Sequence, residues 1–482
     1  MSNPPVLSQD LVDTLLVDVI NRCRTIRSRS SVLAQAEFAS ENPVKLARLI
    51  GNICSELEPQ LVAIRDKYPQ NSNALNDIKL IDDFVREIGA QLRYIDGAIA
   101  TKVPSSLPQP LERLCDKLLP GTNLMLRPQW KYNYSILLHD LGVSYRRELS
   151  QILPASAVDN LFNDFPSRFH IISFPSVERR TALLHCDLAH EIGHLIAKAY
   201  LLYEGKNRPY LLDLRRKIAD RVKAEFKERP QLIEETIENR LLDADFIRWR
   251  GFSEIISDIF AVHLFGPAAL FALFQMAIAD SLDFPPTKET SFYPPWRRRL
   301  RHAIATLEGT NLLPDENESD VFAVILPVQE KVKARVDTIR AMTISNVDKV
   351  ALEADWTTKI AYDSIDESIP HVERFLHQNY VNSFLDREKL YQQVYPLVER
   401  LQLKLPPNAV EVSPYDSQAA DLEAILNAAW FYRIAFLERP FHEGKFDEDF
   451  QSDYEILNAL TLKAIEYSYI QQNFNKWHSE AK

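Results

Sequence analysis

One apolar segment, LLHCDLAHEIGHLIAKAYL, places the strongest constraint on how this chain folds. His190 and His194 lie four residues apart in it, so both imidazoles project from the same side of a helix. The residues next to them are uncharged except for Asp187. These uncharged neighbours predict a helix buried within a domain. This spacing presets two ligands for one metal ion. Glu191 stands where a carboxylate can take a proton from a water on that metal.

A catalytic zinc needs a third protein ligand, and the sequence offers one candidate. The HExxHxxGxxH continuation is absent, because Ala197 and Tyr200 stand at the places of its glycine and last histidine; this excludes a metzincin. We expect the third ligand to be Glu254 in GFSEIISDIFAVHLFGP, 60 residues after His194 (254 − 194 = 60). Asp258 follows four residues later and is expected to accept the free N–H of a ligating imidazole. Their apolar neighbours argue against the alternative, a pair of exposed acids.

These two segments resemble the gluzincins, the thermolysin-type zinc peptidases with HExxH on one helix and ExxxD on the next. DIFAVHLFGP is also similar to the ExxADxFAxxLLMP stretch of soluble bacterial regulatory peptidases that cleave repressors, whose motifs are closer together. The resemblance covers about residues 168 to 302. It implies a zincin-like core with Zn²⁺ bound by His190, His194 and Glu254, Glu191 as the general base, and a strand near 169–174 that pairs with an extended substrate. Residues 206–248 make the gap between the two motifs longer than in those regulatory peptidases, and they are expected to form a charged helical insertion.

A third segment, SFYPPWRRRLRHA, is similar to the HPPxxxR stretch of CAAX-type and related peptidases, with Tyr293 in place of its histidine. The resemblance implies that Tyr293 and Arg299 steady the negatively charged oxygen of a tetrahedral intermediate. The other interpretation is a proline-bounded loop that opens an arginine-rich surface helix. His263 and His302 are competing candidates for the electrophilic role.

The other histidines and the cysteines are expected to have no catalytic role. His185 lies five residues before His190. The remaining histidines have no partner at metal spacing and are expected to be mostly structural: His139, His170, His371, His377, His442 and His478. The four cysteines show no CxxC pair, which fits reduced thiols in a cytosolic protein: Cys23, Cys54, Cys115 and Cys186.

Glycine is scarce, with 11 residues against 28 prolines, which favours a mainly helical fold over a sheet with many tight turns. We therefore predict a mainly α, α+β protein: a zincin-like core with a small sheet and a two-helix metal site, flanked by N- and C-terminal helical domains. Short strands are predicted at 123–127, 131–138 and 168–174. The predicted domains are 1–120, 121–315 and 316–482.

The net charge of −11 argues against a general nucleic-acid binder, since phosphate neutralisation needs a basic face. No secretion signal is visible at the N-terminus. The segment Ile259–Ala279 is long and apolar enough to cross a bilayer, but Pro267 interrupts it. It is therefore interpreted as two buried helices, and the protein as cytoplasmic without a membrane partner.

The function these patterns favour is zinc-dependent hydrolysis of peptide bonds in a protein or peptide substrate. The alternative is a non-catalytic, zinc-containing scaffold whose helical arms bind partner proteins. Glu191 argues against that alternative, because an inert zinc domain has no use for a general base beside the metal. A third interpretation is a membrane peptidase that spans the bilayer through Ile259–Ala279.

Overall fold

The computed structural model describes residues 9–67, 74–205, 209–280, 282, 293–313, 325–344, 356–413, 416–438 and 448–480. The protein is mainly helical, at 77%, with a small sheet, which confirms the predicted fold class at that level. The chain divides into two compact units, Met1–Arg179 and Arg180–Lys482. The predicted three-domain division with boundaries near residues 120 and 315 stays a prediction.

The described part of the first unit begins with long amphipathic helices. In α1 the buried side chains recur every third or fourth residue, from Val12 to Leu33, as a helix with one apolar face requires. Two further long helices, α2 and α3, follow α1. The helices of this unit are α1 (Gln9–Leu33), α2 (Asn42–Lys67), α3 (Ala74–Gly97), α4 (Pro108–Leu118), α5 (Leu141–Leu149) and α6 (Ala155–Leu161).

The three predicted strands form one sheet in this first unit. They are β1 (Thr122–Gln129), β2 (Ser135–Leu137) and β3 (Arg168–Pro175), in the order β1-β3-β2. β1 pairs with β3 in parallel and β2 pairs with β3 antiparallel. Because β3 is the middle strand, both of its edges are paired over Ile171–Ser173. The expectation that the strand at 169–174 offers its edge to a substrate is therefore wrong over these residues.

The second unit is organised around one long helix. α9 (Ile233–Asp280) packs against α7 (Asp187–Gly205), which runs along it, and against other helices of this unit. The predicted insertion at 206–248 is helical in its described part, which comprises α8 and the first turns of α9. The other elements are α8 (Pro209–Glu225), α10 (Trp296–Gly309), α11 (Leu326–Thr343), α12 (Trp356–Tyr380), α13 (Tyr395–Gln402), β4 (Ala409–Ser413), β5 (Asp416–Ala419), α14 (Leu422–Tyr432) and α15 (Glu448–Glu480).

α9 is broken at Gly266, directly before Pro267, as the proline predicts. Gly266 has φ +54° and ψ −138°, a conformation that residues with a Cβ rarely adopt. The fully buried Asn427 side chain bridges the break. Its Nδ2 donates to the Phe265 carbonyl at 2.8 Å, and its Oδ1 accepts from the Ala268 amide at 3.1 Å. The break therefore leaves these backbone groups paired in the interior.

Length and composition alone make one helix among the described residues, Pro230–Ile278, a candidate for a membrane span. Its most apolar window is 89% buried inside the fold. The side chains from 259 to 278 are mostly buried inside the fold, and the break at Gly266 divides them between two helical segments.

Candidate metal centre

The predicted histidine pair lies on α7, where the helix passes closest to α9. The rings of His190 and His194 meet edge to face, with their centroids 4.7 Å apart. Gly193 lies just before His194, and a Cβ there would stand only 2.8 Å from Ser257 Cα on α9. A glycine at this position therefore lets the two backbones come into contact, which brings side chains of α9 to both imidazoles.

Both carboxylates predicted from the second motif lie at these rings. Glu254 is shared between the histidines: its Oε2 is 3.5 Å from His190 Nε2, and its Oε1 is 3.6 Å from His194 Nε2. Asp258, one turn further along α9, places its Oδ1 2.8 Å from His190 Nδ1. The structure thus brings together four of the residues that the sequence singled out.

One polar contact at the centre was missed by the sequence analysis. The Ser253 hydroxyl lies 3.0 Å from His194 Nδ1. It does for His194 what Asp258 does for His190, since each engages the Nδ1 atom and leaves Nε2 directed at Glu254. A serine next to a glutamate occurs on many helices, so the sequence carried no specific signal for this contact.

Arg299, at the start of α10, is buried against the two carboxylates. Its Nε and Nη2 donate to Asp258 at 2.7 and 2.8 Å, and its Nη1 is 3.3 Å from Glu254 Oε2. Its guanidinium also lies over the Trp296 ring, 4.1 Å from the centroid. The arginine-rich start of α10 is buried rather than a solvated surface, since Arg297, Arg298 and Arg299 are each less than 9% exposed.

Tyr293 precedes α10 and is 42% exposed. Its carbonyl oxygen accepts a hydrogen bond from the Tyr362 hydroxyl at 3.1 Å. The pKa of Tyr293 is raised, chiefly by burial and then by the negative charge of Glu254. The phenol is therefore close enough to the centre to feel its charges while part of it stays open to solvent.

The charges around Glu254 keep it ionised. Burial alone would raise its pKa, but His194, Arg299 and His190 outweigh that effect and lower the pKa to about 2. For His190 burial works against the charged ring, yet Asp258 raises the pKa to about 10. For His194 burial dominates and lowers the pKa to about 4. Glu254 is thus an anion held between two imidazoles in different protonation states.

Two further buried acids tend to hold their protons in the metal-free protein. An oxygen of Glu191 lies within 4.8 Å of a nitrogen of each imidazole. Burial raises the pKa of Glu191 to about 8. The charge of His190 opposes this rise, and the negative charge of Glu254 adds to it. Asp187 is the one charged residue among the uncharged neighbours of the histidine pair in the sequence. Its Oδ2 has no hydrogen-bond partner among the described residues, and burial raises its pKa to about 7.

The donor atoms lie near the spacing of ligands around a tetrahedral ion. Two ligand atoms that each stand about 2.0 Å from such an ion are about 3.3 Å apart. His190 Nε2 is 3.5 Å from Glu254 Oε2, and His194 Nε2 is 3.6 Å from the other oxygen, Oε1. Two imidazole nitrogens and one carboxylate oxygen are also the donor types of catalytic zinc sites. By donor type and proximity these residues fit a divalent metal ion.

Comparison with protein-family models, curated proteins and solved structures gives no match. The resemblance to gluzincins therefore stays a prediction from the motifs.

The two histidines that competed for the electrophilic role lie against carboxylates of α12. His302 Nε2 is 2.9 Å from Asp366 Oδ1, and His263 Nε2 is 2.6 Å from Glu373 Oε2.

Proposed function

We propose that this protein is a zinc-dependent peptidase with a zincin-like core built on α7 and α9. The observation that carries the proposal is the position of Glu254, whose two oxygens face the Nε2 atoms of His190 and His194 at 3.5 and 3.6 Å. The buried Glu191 carboxylate, which lies within 4.8 Å of a nitrogen of each imidazole, supplies the group that hydrolysis needs in addition to a metal.

Each residue of the centre has a distinct role in this proposal. His190, His194 and Glu254 would hold the ion, which would supply Lewis acidity toward the scissile carbonyl and its attacking water. The positive charge of a bound ion would lower the raised pKa of Glu191, and the ionised carboxylate then takes a proton from the attacking water and delivers it to the leaving amine. Because Glu191 is buried beside the ligands, its proton transfer takes place out of bulk solvent.

The surrounding residues position these groups. Asp258 and Ser253 orient the two imidazoles through their Nδ1 atoms. Arg299 is engaged by Asp258 and Glu254, so we assign it to positioning these carboxylates rather than to contact with substrate. We assign stabilisation of the oxyanion to Tyr293, whose side chain is partly exposed near the centre.

The test is cleavage of a library of unmodified peptides by the zinc-loaded protein, with new termini identified by mass spectrometry. Glu191→Gln is the inactive comparison, and Glu235→Gln, at an exposed glutamate of α9, is the matched control. We expect cleavage by the wild type and the control but not by Glu191→Gln, which keeps its zinc. A zinc-loaded wild type that cleaves nothing would contradict the proposal and favour the scaffold. Equal cleavage by Glu191→Gln would also contradict it.

A further inference from the structure

A second cluster of metal-ligating side chains joins α9 to α12. His263 on α9 lies with Glu373 and His377 on α12, and one possible ligand atom of each lies within 4.8 Å of the others. His263 Nε2 is 2.6 Å from Glu373 Oε2, and the two imidazole rings meet edge to face with centroids 5.1 Å apart. The expectation that His377 has no partner at metal spacing is wrong, because Glu373 stands four residues before it and the fold adds His263.

Two neighbours fix the orientation of these groups. The Phe384 ring stacks on the imidazole of His263, with 4.5 Å between centroids and an interplanar angle of 13°. The Thr306 hydroxyl on α10 donates to Glu373 Oε1 at 3.0 Å, which leaves Oε2 directed at His263. Hydrogen bonds that orient ligands in this way are a regular feature of metal sites.

We propose that His263, Glu373 and His377 form a second binding site for a divalent transition-metal ion such as Zn²⁺. Two imidazoles and one carboxylate suit zinc and its neighbours in the first transition row better than Mg²⁺ or Ca²⁺, which prefer oxygen ligands. The buried His263 anchors the site, and the exposed His377 gives the ion a path from solvent.

The contact between His263 and Glu373 must open slightly for an ion to enter, while the other ligand atoms already lie within 4.8 Å of one another. Ligand atoms around a tetrahedral ion stand about 3.3 Å apart, so the contact between His263 and Glu373 must open by roughly 0.7 Å from 2.6 Å. The ion takes the place of the proton shared by His263 and Glu373. That proton leaves to solvent or moves to the other ring nitrogen of His263. Because the ligands come from two helices, binding stabilises the packing of α12 on α9. The site stands independently of the proposed peptidase activity.

The simpler interpretation is a hydrogen-bonded His263–Glu373 pair that binds no ion, and in that case His377 has no role. The test is titration of chelator-treated full-length protein with Co²⁺ and then Zn²⁺, following ligand-field absorption and metal stoichiometry. His377→Ala removes an exposed ligand, and His371→Ala, an exposed histidine of the same helix, is the matched control.

We expect the protein with His377→Ala to bind one equivalent fewer than the wild type, and His371→Ala to bind as the wild type does. The same comparison in a His190→Ala, His194→Ala background separates the two sites. There one equivalent is expected to remain and to disappear when His377→Ala is added. Equal stoichiometry with and without His377→Ala in both backgrounds would overturn the second site, whatever the fate of the first.

Discussion

Asp258 and Arg299 form a buried pair in which both carboxylate oxygens accept from the guanidinium, at 2.7 and 2.8 Å. The same Asp258 lies 2.8 Å from His190 Nδ1. The pKa of Asp258 is held below its ordinary range because Arg299 and His190 outweigh the effect of burial. One ionised carboxylate thus links the start of α10 to the helix that carries the histidines.

Removal of the charge of Asp258 is expected to weaken both metal binding and the fold. In Asp258→Asn the guanidinium of Arg299 loses its main partner while buried, and breaking a buried pair in this way costs about 3–5 kcal/mol. Loss of the group that orients His190 lowers metal affinity by about 10- to 100-fold. Denaturant unfolding and zinc competition measure the two effects. Asp366→Asn removes a more exposed partner of Arg298 and is expected to cost less stability than Asp258→Asn, because the Asp366 carboxylate is partly solvated. Equal effects of the two changes would contradict this account.

Substitution of Arg299 separates a positioning role from the role in oxyanion stabilisation predicted from the sequence. Arg299→Lys replaces a fork that holds Asp258 and Glu254 together with a single ammonium group. We expect zinc affinity to fall by about 10- to 100-fold and kcat at saturating zinc to change little. Loss of an oxyanion contact would instead lower kcat by about 10²- to 10³-fold with zinc affinity unchanged. Arg298→Lys on the same helix is the control, because Arg298 pairs with Asp366.

The close contact of α7 with α9 makes Gly193 sensitive to the smallest side chain. In Gly193→Ala the new Cβ would stand 2.8 Å from Ser257 Cα, so the helices must move apart. Overpacking of this kind lowers the free energy of unfolding by about 1–3 kcal/mol. Gly205→Ala on the same helix has no atom of the described residues within 4 Å of the added Cβ and is expected to be neutral or slightly stabilising. Thermal unfolding of both variants is the measurement, and the same loss in both would argue against a tight α7–α9 contact.

The raised pKa of Asp187 predicts a pH dependence in the metal-free protein. Between about pH 4 and pH 7 the folded state keeps this proton while the unfolded chain releases it, so the stability due to Asp187 falls as pH rises. Asp187→Asn removes this contribution, and its free energy of unfolding is expected to decline less with pH over that window. Urea unfolding in the presence of chelator measures this, with Asp220→Asn at an exposed aspartate as the control. Parallel pH profiles for wild type and Asp187→Asn would contradict the prediction.

The sequence predicted well which side chains share one face of a single helix, and it predicted poorly the contacts between elements far apart in the chain. The four-residue spacings of His190 with His194 and of Glu254 with Asp258 are properties of single helices, so periodicity alone placed each pair on one face. The break in α9 was also predictable, since proline inside a helix removes a backbone hydrogen bond and kinks or breaks the helix.

Contacts between distant elements carried no comparable signal. The second cluster depends on His263 meeting a helix that lies 110 residues later at Glu373. The close approach at Gly193 likewise appears only when α7 and α9 are seen packed, because a glycine inside a helix has several possible causes. The antiparallel pair of β4 and β5 was not among the predicted strands, because short polar strands give weak patterns.

The most direct test of the account is the zinc content of the purified protein after reconstitution, measured by mass spectrometry for the wild type and for His190→Ala, His194→Ala. The account predicts that the double variant holds one equivalent fewer per chain and has lost peptidase activity, with helical content unchanged by circular dichroism. Equal zinc content in the two proteins would contradict a metal site at His190, His194 and Glu254.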